Sequence, residues 1–260
     1  MKLCFSTLGC CDRELEQILA LAKAYNISAL EIRGIGGILN NAEIPAFSQE
    51  RCKDTSRLLE DCGISVAALG TSVSFHAPDK YEKVISEGKA AVSIAERLGI
   101  PSIRVFGDRL TEGSTERVIS GLLTLSALSD RVTVLLEVHG DFNTAEALTP
   151  IVEGMKGIEN FGLIWDIEHT HKPYGDRWEE FYSVFRSHIR HVHIKDYSDR
   201  LRNLCLTGDG DIPIKQIAKR MLDDGSEGYF SLEWEKKWHP ELPDMEDALD
   251  SFIRTMVGVV

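Results

Sequence analysis

The sequence predicts an α/β protein of the (β/α)8 barrel class, folded as a single domain over residues 1–260. Short apolar runs alternate with amphipathic stretches of helical period along the whole chain. Eight candidate strands share 260 residues, about 32 per βα unit, which suits a parallel crossover and the roughly 250 residues of such a barrel. An open, doubly wound sheet would carry a glycine-rich phosphate loop directly after its first strand. Here the first strand runs into Leu8-Gly9-Cys10-Cys11, and Gly34-Ile35-Gly36-Gly37 fails the G-x-G-x-x-G spacing.

The elements follow in order. Leu3–Thr7 is read as the first strand; as a secretion signal its apolar stretch is too short, and Asp12, Arg13 and Glu14 follow at once. Glu14–Tyr25 is helical, with Leu15, Ile18, Leu19, Leu21 and Ala22 on one side. Ala29–Arg33 and Ser65–Thr71 are the second and third strands. The clearest helix is Lys80–Leu98, where Val84, Ile85, Gly88, Ala91, Val92, Ala95 and Leu98 recur at helical spacing and Gly99 stops it. Ser102–Phe106, Thr133–His139, Phe161–Ile167, Ile189–Lys195 and Tyr229–Glu235 complete the set of strands. The loop Gly208–Pro213 is expected to open a helix, with Asp211 near the cap and Pro213 in the first turn.

With 43% hydrophobic residues the chain has ample material for a core. Its formal charge of −12 counts against a duplex nucleic-acid partner, because such affinity comes from cations on phosphates. No apolar run approaches the roughly 20 residues of a membrane span. The 6 cysteines show no C-x-x-C spacing and are read as reduced thiols of a cytoplasmic protein.

Barrel enzymes place their reactive groups at the C-terminal ends of strands. The fifth strand ends Leu136-Glu137-Val138-His139, and the sixth Trp165-Asp166-Ile167-Glu168-His169. The seventh reads His191-Val192-His193-Ile194-Lys195-Asp196, and the eighth Ser231-Leu232-Glu233-Trp234-Glu235. Carboxylates embedded among such apolar neighbours need partners, because burying a bare charge is too costly. One divalent ion held by Glu137, Asp166, His193 and Glu233 would satisfy all four, whereas separate rim ion pairs with Arg104, Lys195 or Arg190 would have to arise strand by strand. Three carboxylates and one imidazole suit Mn²⁺ first, with Mg²⁺, Co²⁺ or Zn²⁺ also compatible.

These motifs, with Gly208-Asp209-Gly210-Asp211-Ile212-Pro213, resemble the sugar phosphate isomerase/epimerase branch of the xylose-isomerase-like TIM barrels. That superfamily also includes ketose 3-epimerases, inosose dehydratases, hydroxypyruvate isomerases and AP endonucleases. The resemblance covers nearly the whole chain and implies Glu137, Asp166, His193 and Glu233 as metal ligands. It also implies His169 as a substrate contact. His139 shares the face of Glu137 by strand alternation, and His191, one layer below His193, reads as a hydrogen-bonded core histidine. Two departures stand out. The ketose 3-epimerases carry a glutamate where this chain has Asn143, and an arginine where it has Asp199. The fourth strand offers Arg104 and none of the histidines of the multi-zinc AP endonucleases.

The implied function is a metal-dependent isomerase or epimerase of a small polyhydroxy carbonyl compound, an unphosphorylated sugar or sugar acid, working through a metal-bound cis-enediolate. Glu137 and Glu233 would act as base and acid, with His139 and His169 holding hydroxyls. Arg104 is either a clamp on the substrate or the counter-charge of Glu137. Lys195 either steadies an oxyanion or pairs with Asp196 or Asp166, and His76 either reaches the substrate or is a loop residue without a role. Glu168 and Glu235 are expected nearer the solvent rim, and Trp165 and Trp234 to point outward against helices. Two alternatives stay open: a lyase on the same scaffold, by inosose-type dehydration or C-glycoside cleavage, and a non-catalytic sugar-binding subunit. The expected partner is a small sugar or sugar acid, with neither nucleic acid nor membrane; a homo-oligomer is left open.

Overall fold

In the computed structural model, which describes residues 1–259, the strands are β1 (Lys2–Ser6), β2 (Ala29–Ile32), β3 (Ser65–Ser74), β4 (Ser102–Phe106), β5 (Thr133–Glu137), β6 (Phe161–Asp166), β7 (Ile189–Ile194), β8 (Asp196–Ser198), β9 (Asn203–Cys205) and β10 (Tyr229–Leu232). Eight of them close into a barrel of order β1-β10-β7-β6-β5-β4-β3-β2, every neighbouring pair parallel, while β8 and β9 form a separate antiparallel hairpin. The helices are α1 (Leu15–Ala24), α2 (Cys52–Cys62), α3 (Tyr81–Leu98), α4 (Ser114–Ser126), α5 (Ala145–Gly154), α6 (Ile167–Tyr174), α7 (Trp178–Phe185), α8 (Ile214–Asp223) and α9 (Met245–Val257).

The main core lies between strands and helices, where both present aliphatic and aromatic side chains. Trp165 is fully buried there, stacked on Tyr182 at 5.5 Å and donating its indole N–H to Thr170 Oγ1. Trp234 is equally buried, and its N–H reaches Pro243 O. Both tryptophans therefore serve packing, as their strand positions indicated. Inside the barrel, small residues (Cys4, Ala29 and Ala67) form their own cluster against Tyr229, and polar side chains fill the layers above.

Two expectations are corrected. Helix α8 begins at Ile214 with Pro213 as its N-cap residue, and the Asp211 carboxylate accepts the Asp199 N–H instead of capping. The loop is held from below by Asp196, whose carboxylate accepts the N–H groups of Gly208, Gly210 and Ile212. Asp196 is therefore spoken for and does not pair with Lys195. All 6 cysteines are free, and among the described residues no helix is long and apolar enough to cross a membrane.

Candidate active site at the mouth of the barrel

Adjacent strands bring the predicted ligands to one level, since Asp166 is in register with His193 and His193 with Ser231. Glu137, Asp166, His193 and Glu233 each offer a ligand atom within 4.8 Å of all the others, and all four are buried. Asp166 is aimed by its own helix. Its Oδ1 accepts the N–H groups of Glu168 and His169 as the N-cap of α6, leaving Oδ2 facing the cluster. His193 presents Nδ1 to Glu233, Glu137 and Asp166 at 3.3, 3.6 and 3.9 Å, and that buried nitrogen has no hydrogen-bond partner.

The other face of His193 involves a residue the motifs did not flag. Glu31, fully buried on β2, reaches across the barrel to His193 Nε2 at 2.9 Å, and also binds His191 Nε2 at 2.9 Å and Ser231 Oγ at 3.0 Å. A carboxylate on Nε2 fixes the tautomer and turns the lone pair of Nδ1 into the cluster, as outer partners of metal-bound histidines do. His191 is thus the hydrogen-bonded core histidine its position suggested. A signal for Glu31 was present in Ala29-Leu30-Glu31-Ile32, a carboxylate in an apolar strand like Glu137 and Glu233.

Arg104 is the counter-charge of Glu137, with Nη1 2.6 Å from Oε2 and 3.5 Å from Glu233 Oε1. Lys195 lies 2.9 Å from both Asp166 Oδ2 and Glu233 Oε2 and also touches Glu235. Glu235 is therefore held on the lysine and lines the mouth, not a bystander on the rim. Glu168 is partly buried beside His169. The rings of His139 and His169 lie 4.1 Å apart, and a ligand atom of each comes within 4.8 Å of Glu137. Asn143 donates to the backbone oxygen of His169, and Asp199 pairs with His171 at 3.3 Å. His76 stands behind the wall, its Nδ1 on Ser74 at 2.8 Å and 3.4 Å from Asp108. The mouth cavity, of about 290 Å³, is lined by Arg33, Ser72, Ser74, Arg104, Phe106, Asp108, Glu137, His139, Glu233, Glu235, Trp238 and Leu8.

Electrostatics separate the carboxylates. Burial opposes ionisation of Glu137, yet Arg104 and His193 outweigh it and hold the carboxyl well below its usual range. Burial likewise opposes ionisation of Glu233, and His193 and Lys195 outweigh it in the same way. For Asp166, burial and the neighbouring Glu233 and Glu137 prevail over Lys195 and push it up to about 6. Burial favours neutral His193, but Glu233, Glu31 and Glu137 raise it well above an ordinary histidine. For His169, burial together with Lys195 and His139 depresses the value to about 4.

The residues present fit a divalent ion. Four buried carboxylates (Glu31, Glu137, Asp166 and Glu233) outnumber the two cations ion-paired with them (Arg104 and Lys195), and a divalent ion displacing the proton of His193 would offset the excess. The aimed and unpartnered Nδ1 of His193 supplies the nitrogen donor.

Among solved structures, the chain is similar to the probable 3-DHS dehydratase of petrobactin synthesis from Bacillus anthracis, at 16% identity and a TM-score of 0.77, covering 99% of this chain and 98% of that one. It is similar to D-psicose 3-epimerase from Clostridium cellulolyticum H10, at 16% identity and 0.74, covering 100% and 99%. It is also similar to an AP endonuclease, family 2, from Brucella melitensis, at 13% identity and 0.69, covering 97% of each. At these identities the likeness is one of fold. No curated protein matches the sequence. The family model described as xylose isomerase-like TIM barrel matches residues 19–256, which spans the whole set of site residues, and the chain belongs to that family.

Proposed function

We propose that the protein is a divalent-metal-dependent isomerase or epimerase of a small polyhydroxy carbonyl compound, with Glu137, Asp166, His193 and Glu233 holding the ion. Mn²⁺ suits this donor set first. The observation that carries the reading is His193 Nδ1, buried, unpartnered and turned toward three carboxylates by Glu31. When bound, the ion supplies Lewis acidity that polarises a substrate carbonyl.

The chain's own groups then move the proton. Arg104 and Lys195 keep Glu137 and Glu233 ionised and ready to accept a proton from a carbon next to the carbonyl. The two glutamates stand on β5 and just beyond β10, with Asp166 and His193 on the strands between them. One removes the proton and the other returns it on the opposite side of the carbon. His139 and neutral His169 sit at hand to hold hydroxyls, and Lys195 offsets charge developing on oxygen. Metal ligation weakens a carboxylate as a base, so short and well-aligned transfer is required of both.

The test is incubation of Mn²⁺-loaded protein with a panel of ketoses and sugar acids in deuterium oxide. Exchange of a carbon-bound proton, abolished in Glu137→Gln, is expected. Absence of exchange across the panel together with tight sugar binding would leave the binding-subunit reading instead, and loss of water from the substrate would make the protein a lyase. Elemental analysis adds a second readout. Glu137→Gln, Asp166→Asn, His193→Ala and Glu233→Gln should each hold less metal after dialysis, and unchanged content in all four would end the proposal.

A further inference from the structure

One cation in the mouth makes no ion pair with the carboxylate cluster. Arg33 follows β2, is 6% exposed, and lines the cavity with Ser72, Arg104 and Glu233. Its guanidinium hydrogen-bonds only to neutral groups, Nη2 to Ser72 Oγ at 2.8 Å and Nη1 to Leu39 O at 3.3 Å. Among the described residues no carboxylate forms an ion pair with it, whereas Arg104 and Lys195 are each bound to two or more. A buried arginine left without an anion is costly. Here the cost is increased by a second guanidinium beside it. Gly70 lies between the two arginines: a Cβ there would meet Arg33 Cδ at 2.9 Å and Arg104 Nη2 at 3.2 Å. Glycine on β3 is what lets both cations share one wall. Burial and the Arg104 charge accordingly depress Arg33 to about 10.

We propose that Arg33, with Ser72 beside it, is the recognition site for a carboxylate on the substrate, so that the protein acts on a polyhydroxy acid in preference to a neutral sugar. The inference rests on the proposed isomerase or epimerase function and narrows its substrate class. Pairing supports it. The buried carboxylates are already engaged with Arg104, Lys195 and His193, and Arg33 has no anion of its own in the mouth. A substrate carboxylate would supply that anion, and its two oxygens match a planar guanidinium. A phosphate dianion would meet Glu235 and Asp108 on the same cavity wall with twice the charge, and would have one hydroxyl and part of one guanidinium to satisfy three oxygens.

The test compares matched probes on Mn²⁺-loaded protein by titration calorimetry: hydroxypyruvate, dihydroxyacetone and dihydroxyacetone phosphate in one set, and D-glucuronate, D-glucose and glucose 6-phosphate in the other. In at least one set the acid should bind about tenfold or more tighter than its neutral partner, the scale of one charge-assisted hydrogen-bonded pair. Arg33→Gln should erase that preference by weakening the acid alone, with metal content unchanged, so the acid's own affinity for the ion cancels in the comparison. Arg33→Lys, which keeps a cation in the pocket should the glutamine variant not fold, should weaken the acid without affecting the neutral sugar, because the planar fork is lost. No acid preference in either set would overturn the assignment, as would either variant weakening both partners alike. An Arg33-dependent preference for the phosphate over the carboxylate would overturn it too. Deuterium exchange in the same samples reads the proton-transfer proposal separately: exchange without acid preference sinks this inference alone, and acid preference without exchange sinks only the other.

Discussion

At the scale of single residues, the side chain that organises the site is not one of the four proposed ligands. Glu31 takes both buried histidines of β7 and Ser231 on one carboxylate, so its charge decides which nitrogen of His193 faces the cluster. Glu31→Gln preserves size and removes the charge. Mn²⁺ affinity measured by calorimetry should fall by about 10–100-fold, the usual scale for losing such an outer partner, while direct loss of a ligand in His193→Ala should cost more. Glu233 and Glu235 offer a second comparison. Both touch Lys195, but only Glu233 also faces His193 and Arg104. With saturating Mn²⁺, Glu233→Gln should lower turnover by at least about 10²-fold, the scale of losing a general acid or base. Glu235→Gln leaves Lys195 with Asp166 and Glu233, and its turnover should stay within roughly tenfold of the unaltered protein, since a partly exposed carboxylate contributes little.

At the scale of elements, sequence period and strand-end chemistry were enough to place the eight barrel strands, α1 and α3 to within a few residues. The reason is physical: each strand is sandwiched between interior and helices, so its apolar run is continuous and its end is marked by the first polar side chain. The three-residue strands β8 and β9 carry no such pattern, and the Gly208–Pro213 loop was misread because its shape comes from Asp196, a distant side chain gathering three N–H groups. Glu137, Asp166, His193 and Glu233 were legible because each interrupts an apolar strand. Glu31 obeys the same rule on β2, but its partners lie across the barrel, and Arg33 just after β2 is marked by the carboxylate it lacks; spacing along one strand says nothing about what faces it. Helix packing gives a prediction at this level. Gly121 of α4 lies against buried Phe75, and a Cβ there would come within 2.4 Å of the ring. Gly121→Ala should therefore destabilise the protein by about 1–3 kcal/mol in urea unfolding despite its better helix propensity, because a rigid ring must move.

At the scale of the whole molecule, stability should depend on pH through His169. Its folded value of about 4 lies below the ordinary 6.5, so between these pH values the unfolded chain binds more protons and the native state loses stability as pH falls. Asp166, raised to about 6, acts in the opposite sense over part of that range, so the histidine is isolated by difference. The stability gap between the unaltered protein and His169→Gln, from urea midpoints, should narrow as pH drops from 6.5 toward 4, by at most about 1.4 kcal/mol per pH unit. A gap that stays constant would mean the histidine titrates normally. The net charge of −12 and the presence of Arg104 rather than histidine on β4 lead to the expectation that metal-loaded protein does not nick abasic-site duplex DNA; a gel assay at catalytic protein concentrations checks this.

The reach of Glu31 across the barrel also bears on how the chain comes together. Its partners His191, His193 and Ser231 follow it by 160, 162 and 200 residues, and the last of them lies on the strand that seals against β1. During synthesis the first half-barrel emerges with Glu31 already on it and none of its partners yet made. Its charge remains hydrated until β7 and β10 arrive, which discourages premature collapse of the unfinished interior. Closure of the ring and completion of the histidine network thus become the same late event, and a chain that stops short of β10 loses both together.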